Sequence, residues 1–99
     1  MAMIEVRQTA GGDPLKFAVV VRDETGETHH VVTMAPATYQ ELTAGASSPS
    51  ACVDAAFRFL LDREPKEQIL SRFDMAVIPH YYPDFSRQFP GYLSRPTPV

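Results

Sequence analysis

The chain has 99 residues, 44% of them hydrophobic, and a formal net charge of −3, which supplies core material for one small domain and excludes global disorder. The charge is uneven: residues 1–49 set Arg7, Lys16 and Arg22 against Glu5, Asp13, Asp23, Glu24, Glu27 and Glu41, whereas residues 50–99 are balanced. Neither half carries the basic excess with which proteins neutralise phosphates, so nucleic-acid binding is not expected.

A single cysteine, Cys52, excludes an intrachain disulfide and a cysteine-built zinc site. The start Met1-Ala2-Met3-Ile4-Glu5-Val6-Arg7 lacks the apolar run of a secretory signal, and no segment approaches the roughly 20 apolar residues of a membrane span. A cytoplasmic protein without a membrane segment is the expectation.

Residues 2–8 alternate weakly, and Ala10-Gly11-Gly12-Asp13-Pro14 is a breaker cluster that turns the chain. Leu15–Arg22 is β-branched and mostly apolar, which predicts a strand central in its sheet. Asp23–Glu27 gives a turn with Gly26 available for positive φ, and Thr28–Met34 returns as the second arm of a hairpin. Pro36 then opens a short helix capped by Thr33 or a near neighbour, with Tyr39 and Leu42 as its apolar pair and Gly45 as its stop.

Ser48 as N-cap and Pro49 at the first helical position open the main helix. On it Val53, Phe57, Leu60 and Leu61 form a buried stripe, Cys52 lies toward the apolar side, and Asp54, Arg58 and Asp62 form a solvated ladder of alternating charge. Pro65 ends this helix near Arg63 and starts another, with Ile69, Leu70 and Phe73 as its buried side. For residues 74–80 two readings stand: Asp74 caps a helical turn carrying Val77, Ile78 and Tyr81, or Phe73, Met75 and Val77 alternate as a strand. The helix is the preferred one. Pro83-Asp84 begins a last short helix that Pro90-Gly91 ends, and residues 93–99 form a frayed tail.

The fold class that follows is α+β in a single domain, 1–99. A small antiparallel sheet of about three strands, residues 2–34, is covered on one face by three to four helices in residues 36–92.

The densest cluster of chemistry-bearing side chains is His80-Tyr81-Tyr82-Pro83-Asp84-Phe85, and five of the ten aromatic residues fall between positions 81 and 92. His80, Tyr81, Tyr82, Asp84 and Phe85 are the candidate binding residues; His80, Tyr82 and Asp84 together suit acid–base work or a small ligand. The competing reading makes these aromatics the last side chains to close the core. His29 and His30 are adjacent in a strand, point to opposite faces and do not chelate one metal. No serine sits in a nucleophile elbow and no glycine-rich loop precedes a helix, so no catalytic residue, metal or cofactor is assigned. Lys66–Ile78 imitates a helix-turn-helix, but the would-be reading helix carries Pro79 and Pro83 and no basic residue before Arg87.

The run Ala56–Pro65, followed by Ile69-Leu70, Phe73-Asp74, Val77-Ile78 and Tyr81-Tyr82-Pro83, resembles a group of short, conserved bacterial proteins of uncharacterised function, over the region from the hairpin to about residue 92. The resemblance implies a bacterial cytoplasmic setting and no activity. The leading functional expectation is a non-enzymatic interaction or regulatory module. It would act on a protein partner or a second copy through a sheet edge or the C-terminal aromatic surface. A ligand binder or enzyme built on His80, Tyr82 and Asp84 is the alternative, and DNA binding is third.

Overall fold

Two turns organise the N-terminal half of the molecule, whose computed structural model describes residues 2–94. The breaker cluster at 11–14 joins β1 (Met3–Ala10) to β2 (Leu15–Asp23), and the Glu24-Thr25 loop joins β2 to β3 (Gly26–Met34). In the second turn the Asp23 carboxylate accepts from the Thr25 backbone N–H (2.9 Å) and hydroxyl (2.7 Å), and Gly26 takes a φ of 134° that a side chain would strain. Both pairings are antiparallel, and β2 lies between its neighbours. The expected sheet is there, with one strand more than the sequence suggested.

The added strand is β4 (Arg72–Asp74), which runs parallel to β3 and completes a mixed sheet in the order β1-β2-β3-β4. A parallel return needs a long crossover, here carrying α1 (Pro36–Thr43) and α2 (Pro49–Leu61). The Ser48 hydroxyl accepts from the Ala51 N–H at 3.1 Å with Pro49 in the first turn, as expected. Thr33 does not cap α1. It stays in β3 and donates its hydroxyl to Asp74 at 2.7 Å, so Ala35 occupies the cap position without a side-chain bond.

Helix α2 lies between the sheet and α4 (Phe85–Ser94), and is buried on two sides. Its sheet side carries Val53, Phe57 and Leu60; Phe59, on another side, meets the rings of Tyr82, Phe85 and Tyr92 edge-on. The buried arc therefore covers on the order of 200° of the helix at 100° per residue, leaving the pair Arg58–Asp54 (3.2 Å) on the remaining flank.

The segment after Pro65 departs from the predicted helix. It forms one 3-10 turn at Lys66–Gln68 and then extends, with Leu70 exposed and Phe73 reaching the core from β4. Tertiary bonds outweigh the helical pattern: His30 is bound to the Leu70 carbonyl at 2.8 Å, and the Val31 N–H donates to the Ser71 carbonyl at 2.8 Å. Residues 74–80 take the preferred helical reading from Met75 onward, and Met75 and Val77 lie outside the strand. The strand ends at Asp74, whose carboxylate accepts from the Ala76 N–H and starts a 3-10 turn at Met75–Val77 that runs into α3 (Ile78–Tyr81). The helix-turn-helix imitation is thus a turn, a strand and a short helical piece.

Pro90 does not end the last helix, which continues to Ser94. Phe85, Phe89 and Tyr92 are buried along one side of α4, while Ser86 and Pro90 are exposed, so the carbonyl left without an N–H partner can be hydrated. The predicted tail lies, from residue 95 onward, outside the described residues. No helix among the described residues is long and apolar enough to cross a membrane.

Candidate functional site

Of the predicted site residues, each has a different fate. Phe85 is core. Asp84 pairs with Arg63 at 3.1 Å, and Arg63 also stacks 3.7 Å above the Phe59 ring and donates to the Phe59 carbonyl at 3.2 Å. The Tyr92 hydroxyl donates to Asp62, closing a polar clasp that ties α4 to the end of α2. His80 is exposed and takes no hydrogen bond or ion pair among the described residues.

Tyr81 and Tyr82 border a groove of about 270 Å³ between the end of α2, the extended segment after Pro65, β4 and α3. Leu60, Ile69, Phe73 and Ile78 give it apolar walls, and Leu70 and Tyr81 stand at 49% and 67% exposure. The Tyr82 hydroxyl donates to Glu64, and this bond to a carboxylate raises the phenol above its ordinary value. His80 and Asp84 are not among the groove's lining residues, so of the suggested acid–base trio only Tyr82 reaches it. Sequence reasoning missed Glu64 and Gln68 as lining residues. Glu64 has no signal beyond preceding Pro65, and Gln68 has none.

A second polar cluster sits beneath the β2–β3 turn. Lys66, only 2% exposed, donates to Asp23 (2.8 Å), Glu67 (2.5 Å) and the Thr25 hydroxyl (2.6 Å). The bond to Asp23 comes first in holding the ammonium above its usual range, and the same bond holds the Asp23 carboxyl well below its own. All three hydrogens of the Lys66 ammonium find partners within the chain, which marks the cluster as a structural tie. Among the described residues no three His, Cys, Asp or Glu side chains gather as a metal would require. Burial pushes the Cys52 thiol up to about 12, and its sulfur lies 3.7 Å from that of Met34.

The remaining open feature is the sheet boundary. On β1 the core side carries the half-buried Ile4 and Val6, and the outer side carries the exposed Met3, Glu5 and Arg7. Among the described residues only β2 pairs with it, so the other long edge of this eight-residue strand has no strand partner there. Comparison with models of known protein families, with curated proteins and with solved structures finds no match to this chain.

Proposed function

We propose that the protein is a non-enzymatic interaction module that binds by strand pairing along β1. The observation that carries this reading is an eight-residue strand at one boundary of the sheet whose outer edge is unpaired among the described residues. Main-chain N–H and C=O groups in such a row accept any extended segment, with specificity left to the alternating side chains. The absence of His80 and Asp84 from the groove's lining, and the use of Asp84 by Arg63, favour binding over acid–base chemistry.

Amide hydrogen exchange tests the proposal. In dilute protein every second β1 amide should exchange quickly, and an added extended peptide with alternating valines should slow those amides selectively. Slow exchange of all β1 amides in the dilute monomer would mean a covered edge, and the function would have to be sought elsewhere.

The groove supports a second reading, a site for a small apolar group with Tyr82 and Glu64 as its polar corner. Its volume, about 270 Å³, falls short of the roughly 300–1,000 Å³ typical of drug-sized ligands. A single apolar side chain or small ring is therefore the matching occupant. Saturable quenching of tyrosine emission by such a probe, abolished in Ile69→Glu, is the expected result.

A further inference from the structure

We infer that the strand β1 recognises is β1 of a second copy, so that two molecules join edge to edge into one continuous sheet. This rests on the edge-pairing function proposed above and names its partner. In a two-fold antiparallel pairing, the positions of facing residues have a constant sum, and that sum must be even. An odd sum would set core-side residues of one copy against outer-side residues of the other, and would put the two rows of backbone donors and acceptors out of step.

Three even registers lie near the middle of Met3–Ala10. Centring on Glu5 sets that carboxylate against its own copy, and centring on Arg7 does the same to the guanidinium. Centring on Val6 instead places Glu5 opposite Arg7 of the second copy and Arg7 opposite its Glu5. Opposite charges directly across a sheet attract and like charges repel, so the charges of β1 select the Val6-centred register and oppose its two neighbours.

Both charges are available for the purpose. Glu5 has only a long contact to Arg22, at 3.7 Å, and Arg7 has no ion pair among the described residues. On the core side the same register brings Val6 against Val6 and Ile4 against Gln8. The two half-buried aliphatic residues that fringe the core then lose their remaining exposure to water. The opposite boundary cannot substitute for β1, because β4 offers three residues and its Asp74 is already bonded to Thr33.

The test is sedimentation of the full chain at neutral pH and low salt over a concentration series, with four further samples: E5R, R7E, their equimolar mixture, and the double variant E5R/R7E. The wild type should dimerise. Each single variant places like charges opposite each other twice and should weaken association roughly tenfold or more. The mixture restores attraction between unlike chains and should dimerise again, as should the double variant. Both positions are exposed, and circular dichroism checks that every variant folds.

Amide exchange on the same samples separates the outcomes. A wild type that stays monomeric at about 1 mM, with its outer β1 amides unprotected, overturns the second-copy assignment and leaves the edge free for a foreign strand. A dimer indifferent to the charge swaps but protected at β1 overturns the register. Protection gained away from β1 overturns both the assignment and the edge-pairing function.

Discussion

The two boundaries of the sheet are built by opposite means. At β4 a strand of three residues is fixed by groups from far along the chain: the His30 ring on the Leu70 carbonyl, Thr33 on Asp74, and Phe73 packed against Phe57 at a centroid distance of 5.8 Å. At β1 a strand of eight residues depends on its hairpin partner and on α2, against which it packs with the half-buried Ile4 and Val6 at the core's fringe. The β4 boundary is closed by distant side chains, whereas the β1 boundary has no second strand among the described residues.

Substitutions at four positions sharpen or break that contrast. Phe73→Ala removes the core anchor of β4 and should cost about 3–5 kcal/mol, seen as a large fall in the urea midpoint with fast amide exchange through residues 72–74. Next comes His30→Ala. Because a carbonyl only accepts, Nδ1 of this 3%-exposed ring carries the proton given to Leu70, while Nε2 bonds to the Thr28 hydroxyl at 2.8 Å. Its loss should cost about 2–4 kcal/mol, and His30→Phe should recover the packing on Phe57 but not the bond.

Lys66→Met should act more weakly at neutral pH and change the pH profile. Asp23, held below its usual range by Lys66, stabilises the fold above the unfolded carboxylate value of about 3.9, and that stability is lost as pH falls further. Lys66, held above its usual range, contributes fully below about 10.4 and loses its contribution as pH rises past its folded value. The variant should therefore show a flatter melting curve against pH, with both the acid and the alkaline arm reduced. Arg7→Glu should be smallest: in dilute solution its melting temperature should correspond to a change within about 0.5 kcal/mol, while its self-association falls.

The elements with local signals were legible. Ser48 and Pro49 announced α2, the Asp23–Glu27 segment announced the hairpin, and the valines of β2 announced a central strand. The parts that were not legible depend on contacts some forty residues apart. Lys66 after a proline reads as a solvated charge until the turn at Asp23 is folded over it, and β4 is too short to establish a period. The apolar spacing at Leu70 suits the buried side of a helix, whereas the extended segment before β4 leaves it exposed. Pro90 was read as a stop because the local rule for proline is strong; Phe89 and Tyr92, buried on either side of it, outweigh that rule. For the candidate site, the sequence draws attention to residues 80–85, of which Tyr81 and Tyr82 line the groove. It could not show that Asp84 would be taken by Arg63, since that partner lies 21 residues earlier in the turn after α2.

Cys52 gives the molecule a built-in clock. Its sulfur is sealed between α2 and β3 and held as the neutral thiol by burial, so an alkylating reagent can attack only in the instants when the helix lifts from the sheet. With reagent scarce, the labelling rate reports the population of that opened form; in excess, it reports how often the opening occurs. The lifetime of the packed state can thus be read by mass spectrometry from the natural chain.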